Sequence, residues 1–190
     1  MTWRDIAAAG HLADASTALA AVDEGDPVAR ELALGALDRL GVLTDAQVEA
    51  ALGDPDVNVR RRAVTLAVPR DVSLLASLSD QSPAVVETAA WACGERSAAA
   101  DDVLDRLVEL AGSAADALVR EAAVAALGAL GDERGLPAIL AACADKPAVR
   151  RRAVLALAPF EGPEVEAAID VALTDRDWQV RQAAEDLRRA

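Results

Sequence analysis

The chain has 190 residues, 53% of them hydrophobic but only 2% aromatic, with 19 Lys and Arg against 32 Asp and Glu for a net charge of −13. This length suits a single domain with a sizeable core, and a core of Ala, Leu and Val without aromatic, β-branched runs points to closely packed helices in an all-α fold. The acidic balance argues against nucleic acid as a general partner, because a strand is held chiefly by neutralising its phosphates.

At the amino terminus, Trp3, Ile6 and the apolar run 12–22 are expected to form the first helices and to cover the first repeat. The segment lacks the basic-then-apolar layout of a secretion signal, and acidic residues interrupt the chain too often for a membrane span. A cytoplasmic protein with no membrane contact is the expectation. His11 is the one histidine, with a capping or solvent-exposed role expected.

From residue 29 onward the pattern Val-Arg-x-x-Ala recurs six times: Ala29-Arg30 to Ala33, Val59-Arg60 to Ala63, Val86-Glu87 to Ala90, Val119-Arg120 to Ala123, Val149-Arg150 to Ala153 and Val180-Arg181 to Ala184. The Arg positions lie 30, 27, 33, 30 and 31 residues apart, room for two short helices per copy. Asp or Asn ahead of each copy, with Pro27, Pro55, Pro83 and Pro147 near the first turn, predicts that the pattern opens a helix. Counting from the Arg as zero, positions −1, +3, +4 and +7 form an apolar stripe, and Ala at +3 throughout predicts a close helix crossing. The segments 45–52, 72–78, 102–110, 136–144 and 164–173 are predicted as the other helix of each pair. Repeat cores then fall near 27–40, 57–68, 83–94, 117–130, 147–158 and 178–189.

This pattern resembles HEAT repeats of the short, phycobilisome-lyase-like kind. The resemblance implies a right-handed α-solenoid of about six stacked two-helix repeats. It also implies a ladder in which the turn Asp and the helix Arg bond between neighbouring repeats. Asp54 with Arg60 and Asp175 with Arg181 match that spacing, and Asp145 with Arg150 is one residue closer. Asp26 and Asp116 lie only four residues before Arg30 and Arg120, and Glu87 stands where an Arg belongs, so the ladder is expected to break near the middle. In the last copy, positions +4 and +7 become Glu185 and Arg188, a polar outer face expected of a terminal repeat.

No catalytic, metal or cofactor motif is present: one histidine supports neither a metal set nor a triad, and no phosphate-binding glycine loop occurs. Cys93 and Cys143 read as buried free thiols. Acidic pairs such as Asp101-Asp102 and Asp175 with Asp177 read as turn and cap residues. Hydroxylases of related fold use His-Glu pairs, which this chain lacks, and repeat-built DNA glycosylases use a basic groove.

Positions +1, +2 and +5 lie opposite the apolar stripe and are expected to face the concave side. They supply the candidate partner-binding residues Arg61, Arg62, Thr65, Thr88, Glu121, Arg151, Arg152 and Leu155, with Trp91 beside them, although its +4 position favours the core. The triplets Arg60–Arg62 and Arg150–Arg152 are the basic features of this face, with a floor of Ala and Thr between them. Trp178 is expected to pack the terminal turn. The function read from these residues is a non-enzymatic, protein-binding scaffold or adaptor that needs no cofactor. Its partner would be another protein or an acidic, extended peptide, and the chain itself a monomer or weak homo-oligomer. The alternative is a bilin-lyase-like accessory protein acting on a bound small molecule.

Overall fold

The computed structural model describes residues 2–12 and 15–189, apart from the side chains of residues 10–12 and 24, so His11 lies outside the described side chains. The described residues form twelve α-helices and two short 3-10 turns, with no strand among them. Packing divides the chain into two compact units, residues 1–85 and 86–190.

The first unit holds α1 (Trp3–Leu12), α2 (Ala15–Glu24), α3 (Pro27–Arg39), α4 (Asp45–Leu52) and α5 (Val57–Ala67). Each of the last three helices starts on a side-chain cap. Asp26 accepts the Ala29 amide at 2.9 Å, Asp56 accepts that of Asn58, and Thr44 with Gln47 closes a reciprocal capping box. Helices α1 and α2 both pack on α3, burying Ile6 and Ala21 with Ala29 and Ala33. The predicted helix over 72–78 is absent. Val72 and Leu74 are buried on either side of exposed Ser73, and the chain then enters a 3-10 turn at Ser77–Ser79. Pro69 and three serines leave too short a stretch to repay helix nucleation, and the serines favour local turn bonding.

The second unit contains most of α6 (Pro83–Gly94), then α7 (Asp101–Ser113), α8 (Ala117–Leu130), α9 (Leu136–Ala142), α10 (Pro147–Ala156), α11 (Pro163–Leu173) and α12 (Trp178–Arg189). Segments 102–110, 136–144 and 164–173 are thus helical, as α7, α9 and α11, with α9 ending at Ala142. Helix α7 packs on α8 and α11 on α12, while α8, α10 and α12 lie side by side. Trp178, expected to pack, opens α12 and is exposed, because it stands three residues ahead of Arg181 and off the buried stripe.

Burial corrects the register of the third copy by one residue. Along α5 the buried positions are Val59, Arg60, Ala63, Val64, Leu66 and Ala67; along α6 they are Val85, Val86, Ala89, Ala90, Ala92 and Cys93. Val86, and not Glu87, therefore occupies the Arg position. The doubled Val85-Val86 and Ala89-Ala90 fit the motif in either frame. Two spacings decide between them: Asp80 precedes Val86 by six residues, as Asp54 precedes Arg60, and Pro83 precedes it by three, as Pro27 precedes Arg30. In this frame +3 is a fully buried Ala in all six copies: Ala33, Ala63, Ala89, Ala123, Ala153 and Ala184. Positions +4 and +7 then hold buried Ala90 and Cys93, where the first frame put Trp91 and Gly94.

The arginines form the ladder. Arg30 Nε and Nη2 donate to the two carboxylate oxygens of Asp54, both at 2.8 Å, and Arg60 does the same to Asp80 at 2.7 and 2.9 Å. In the second unit Arg120 holds Asp145 at 2.6 and 2.9 Å, and Arg150 holds Asp175 at 2.8 and 2.7 Å. Each Nη1 turns back to a carbonyl of its own turn, such as Asp54 O for Arg60. Val86 has no such reach. The residue six ahead of Arg120, where its acceptor would stand, is Ala114, so both halves of that rung are missing together. Asp26 and Asp116, which do not fit the ladder spacing, serve as N-caps of α3 and α8.

Candidate functional site

On the second unit, α6, α8 and α10 expose the face opposite their buried stripe, and one open trough of about 570 Å³ runs along it. Its α6 wall is Glu87, Trp91, Gly94 and Glu95. Its floor is Ala122, Ala125, Ala126 and Ala129 of α8, with Leu118 and Glu121, and Arg152 of α10 closes the far side. The trough is shallow because α8 offers alanine where its neighbours offer longer side chains.

Close packing of these helices sets the width of the trough. A Cβ on Gly94 would lie 2.9 Å from Ala126 Cα, and one on Gly128 would lie 2.6 Å from Ala156 Cα. In the corrected frame both contacts pair position +8 of one helix with +6 of the next. The +3 alanines, predicted to mark a close crossing, are fully buried, and further along the same helices these glycines also meet the backbone of the next helix.

Trp91 belongs to this face. Sequence reasoning favoured the core for it, but one residue of register moves it to +5, beside Ala125 and Leu155, and it is 44% exposed. Leu118 and Leu155 are 56% and 41% exposed. Three large apolar side chains thus reach solvent on three adjacent helices, the composition of a contact surface more than of a solvated one.

Charge is unevenly placed around them. Arg151 and Arg152 share the Glu121 carboxylate, at 3.7 and 3.6 Å, so the α10 side carries its own counter-charge. The α6 side carries Glu87 and Glu95, both missed by sequence reasoning: Glu87 had been placed in the ladder position, and Glu95 lies beyond the +1, +2 and +5 positions taken to face the partner. Leu118 was missed as well, since it lies at −2, outside the positions taken to face the partner.

Of the sequence-predicted residues, Trp91, Glu121 and Arg152 line the trough, Arg151 touches Glu121, and Leu155 is exposed on α10. Thr88 is half-buried on α6. Arg61, Arg62 and Thr65 belong to α5 in the first unit. There the Arg62 guanidinium lies over Gly35, where a Cβ would come within 2.5 Å of Nη2, and the Thr65 hydroxyl donates to the Arg61 carbonyl at 3.1 Å. The first arginine of each triplet, Arg60 and Arg150, is buried in the ladder.

Hydrogen bonds from Arg60, Arg120 and Arg150 hold Asp80, Asp145 and Asp175 below the ordinary carboxylate range. Burial pushes the free thiols of Cys93, which is buried, and Cys143, which is half-buried, up to about 11. Among the described residues no cluster of His, Cys, Asp and Glu is arranged to hold a metal ion, and no helix is long and apolar enough to cross a membrane.

Comparison with known proteins agrees with the geometry. Residues 72–158 match the family model for HEAT repeats. No curated protein matches the chain by sequence. Among solved structures, YibA of Escherichia coli is 18% identical with a TM-score of 0.71, over 96% of this chain and 70% of that one. A designed armadillo repeat protein is 16% identical with a TM-score of 0.63, over 91% and 97%. Human deoxyhypusine hydroxylase, solved with glycerol, is 18% identical with a TM-score of 0.51, over 97% and 75%. At these identities the likeness is one of fold, an all-α stack of helix repeats.

Proposed function

Since the chain is a HEAT-repeat protein, we propose that it is a non-enzymatic scaffold or adaptor that holds an extended segment of another protein against the exposed faces of its repeat helices. The observation that carries this reading is the open trough lined by exposed Trp91 and Leu118, with Leu155 exposed on α10. Exposed aromatic and aliphatic anchors over a small-residue floor give an extended chain contact area at little entropic cost. A lyase-like or small-molecule role calls for an enclosed cavity with convergent polar groups; walls this exposed favour the scaffold. The hydroxylase of similar fold does not alter this reading, because the one histidine here cannot supply a His-based metal set.

Selection from a random-peptide display library tests the proposal. Enriched peptides should compete with one another and lose affinity about tenfold with Trp91→Ala combined with Leu118→Ser, at unchanged helicity and melting. Equal enrichment on the double variant would contradict it. The Arg61 and Arg62 pair on α5 favours a second reading, capture of an acidic stretch. Reversing Arg61, Arg62, Arg151 and Arg152 to Glu should then abolish enrichment of acidic peptides, and unchanged enrichment would dismiss it.

A further inference from the structure

We propose that the trough on the second unit seats a positively charged side chain, arginine or lysine, of the partner's extended segment, with the charge over the Trp91 indole between Glu87 and Glu95. The assignment rests on the scaffold reading and adds the sign of the ligand to it. Glu87, Trp91 and Glu95 follow one another at four-residue spacing and all line the trough. That spacing places them on one face of α6, about 5–6 Å apart at Cβ. The Glu95 amide donates to the Trp91 carbonyl at 3.1 Å, which carries the helical course one residue past Gly94 and keeps Glu95 in line.

An exposed indole flanked by two carboxylates is matched to a cation, because the negative ring face and both formal charges attract the same sign. The aliphatic stem of a bound arginine or lysine would then cover Ala125 and Leu118, the apolar part of the floor. The opposite wall cannot serve a cation, since Arg152 lines it and Arg151 stands by Glu121. The complementary charge therefore lies on the α6 side alone.

Three synthetic peptides of equal length, alternating alanine with arginine, with serine or with glutamate, provide the test by calorimetric titration at physiological salt. The arginine peptide should bind the whole chain more tightly than the other two, and Glu87→Gln with Glu95→Gln should weaken it about tenfold. Trp91→Phe should keep part of the affinity that Trp91→Leu loses. Glu161→Gln with Glu164→Gln, an equal charge change at exposed residues outside the trough, should leave binding within about twofold, which separates a seated cation from attraction to an acidic protein. Equal loss in the two glutamate double variants, or tighter binding of the serine or glutamate peptide, would overturn the cation assignment. If such a peptide still lost affinity with Trp91→Leu, the scaffold reading would survive that failure.

Discussion

Asp80 shows how much a single residue can hold in this protein. It accepts two hydrogen bonds from Arg60, which is only 7% exposed, so Asp80→Ala would leave a buried guanidinium without its counter-charge. The expected cost is about 3 kcal/mol, read as a lower urea midpoint at unchanged slope. Because Asp80, Asp145 and Asp175 are held below their ordinary range by their arginines, the stability they contribute is present above the unfolded value, about 3.9, and is lost as pH falls through the lower folded values. The urea midpoint should therefore be level from neutrality down to about pH 5 and fall below about pH 4; a midpoint that rises on acidification would contradict this. At the other extreme, Trp91→Ala should change stability by less than about 1 kcal/mol, whereas Leu127→Ala, at a fully buried position, should cost about 3 kcal/mol. The ladder arginines were legible from their fixed place in the Val-Arg-x-x-Ala pattern, although the distance to the preceding Asp varies. Trp91 was not, because the doubled valines and alanines around it satisfy the repeat motif in two frames, and only the Asp80 and Pro83 spacings separate them.

Among the elements, α6 is the irregular one, and it repays two substitutions. Val86 and Ala114 stand where an Arg and its Asp acceptor stand in the other rungs. Val86→Arg alone buries an unpaired charge and should destabilise by about 3 kcal/mol; adding Ala114→Asp should restore much of that loss, visible as a coupling of about 1–3 kcal/mol in a double-mutant cycle. Additive effects would mean that the two positions do not face each other as a rung. Gly128 tests the packing of α8 on α10. Alanine there gains about 1 kcal/mol of helix propensity, yet its Cβ would sit 2.6 Å from Ala156 Cα. Overpacking of this kind costs about 1–3 kcal/mol, so a net loss is expected in thermal melts. Most helices could be read from caps and stripes: α4 begins and ends where its Thr44 cap and Gly53 place it. The stretch 72–78 could not, because its apolar residues fit either a short helix or an extended run, and only the packing of Val72 and Leu74 chooses.

For the whole molecule, a six-fold copy pattern and an Ala, Leu and Val core were enough to reach the all-α repeat fold, and the −13 charge to turn attention from nucleic acid to protein partners. The site was legible only in part. Helical periodicity marked +1, +2 and +5 as outward facing, which found Glu121 and Arg152, but the trough itself depends on α8 presenting alanine between a tryptophan and an arginine on neighbouring helices, a juxtaposition that spacing along one chain does not reveal. The most direct test uses the protein with Trp3→Phe and Trp178→Phe, in which Trp91 is the one remaining tryptophan. Free, its fluorescence should be that of a water-exposed indole, readily quenched by acrylamide; with a saturating display-selected peptide, emission should shift to the blue and quenching should fall. Saturating binding that leaves both emission and quenching unchanged would contradict the trough as the place where the partner is held.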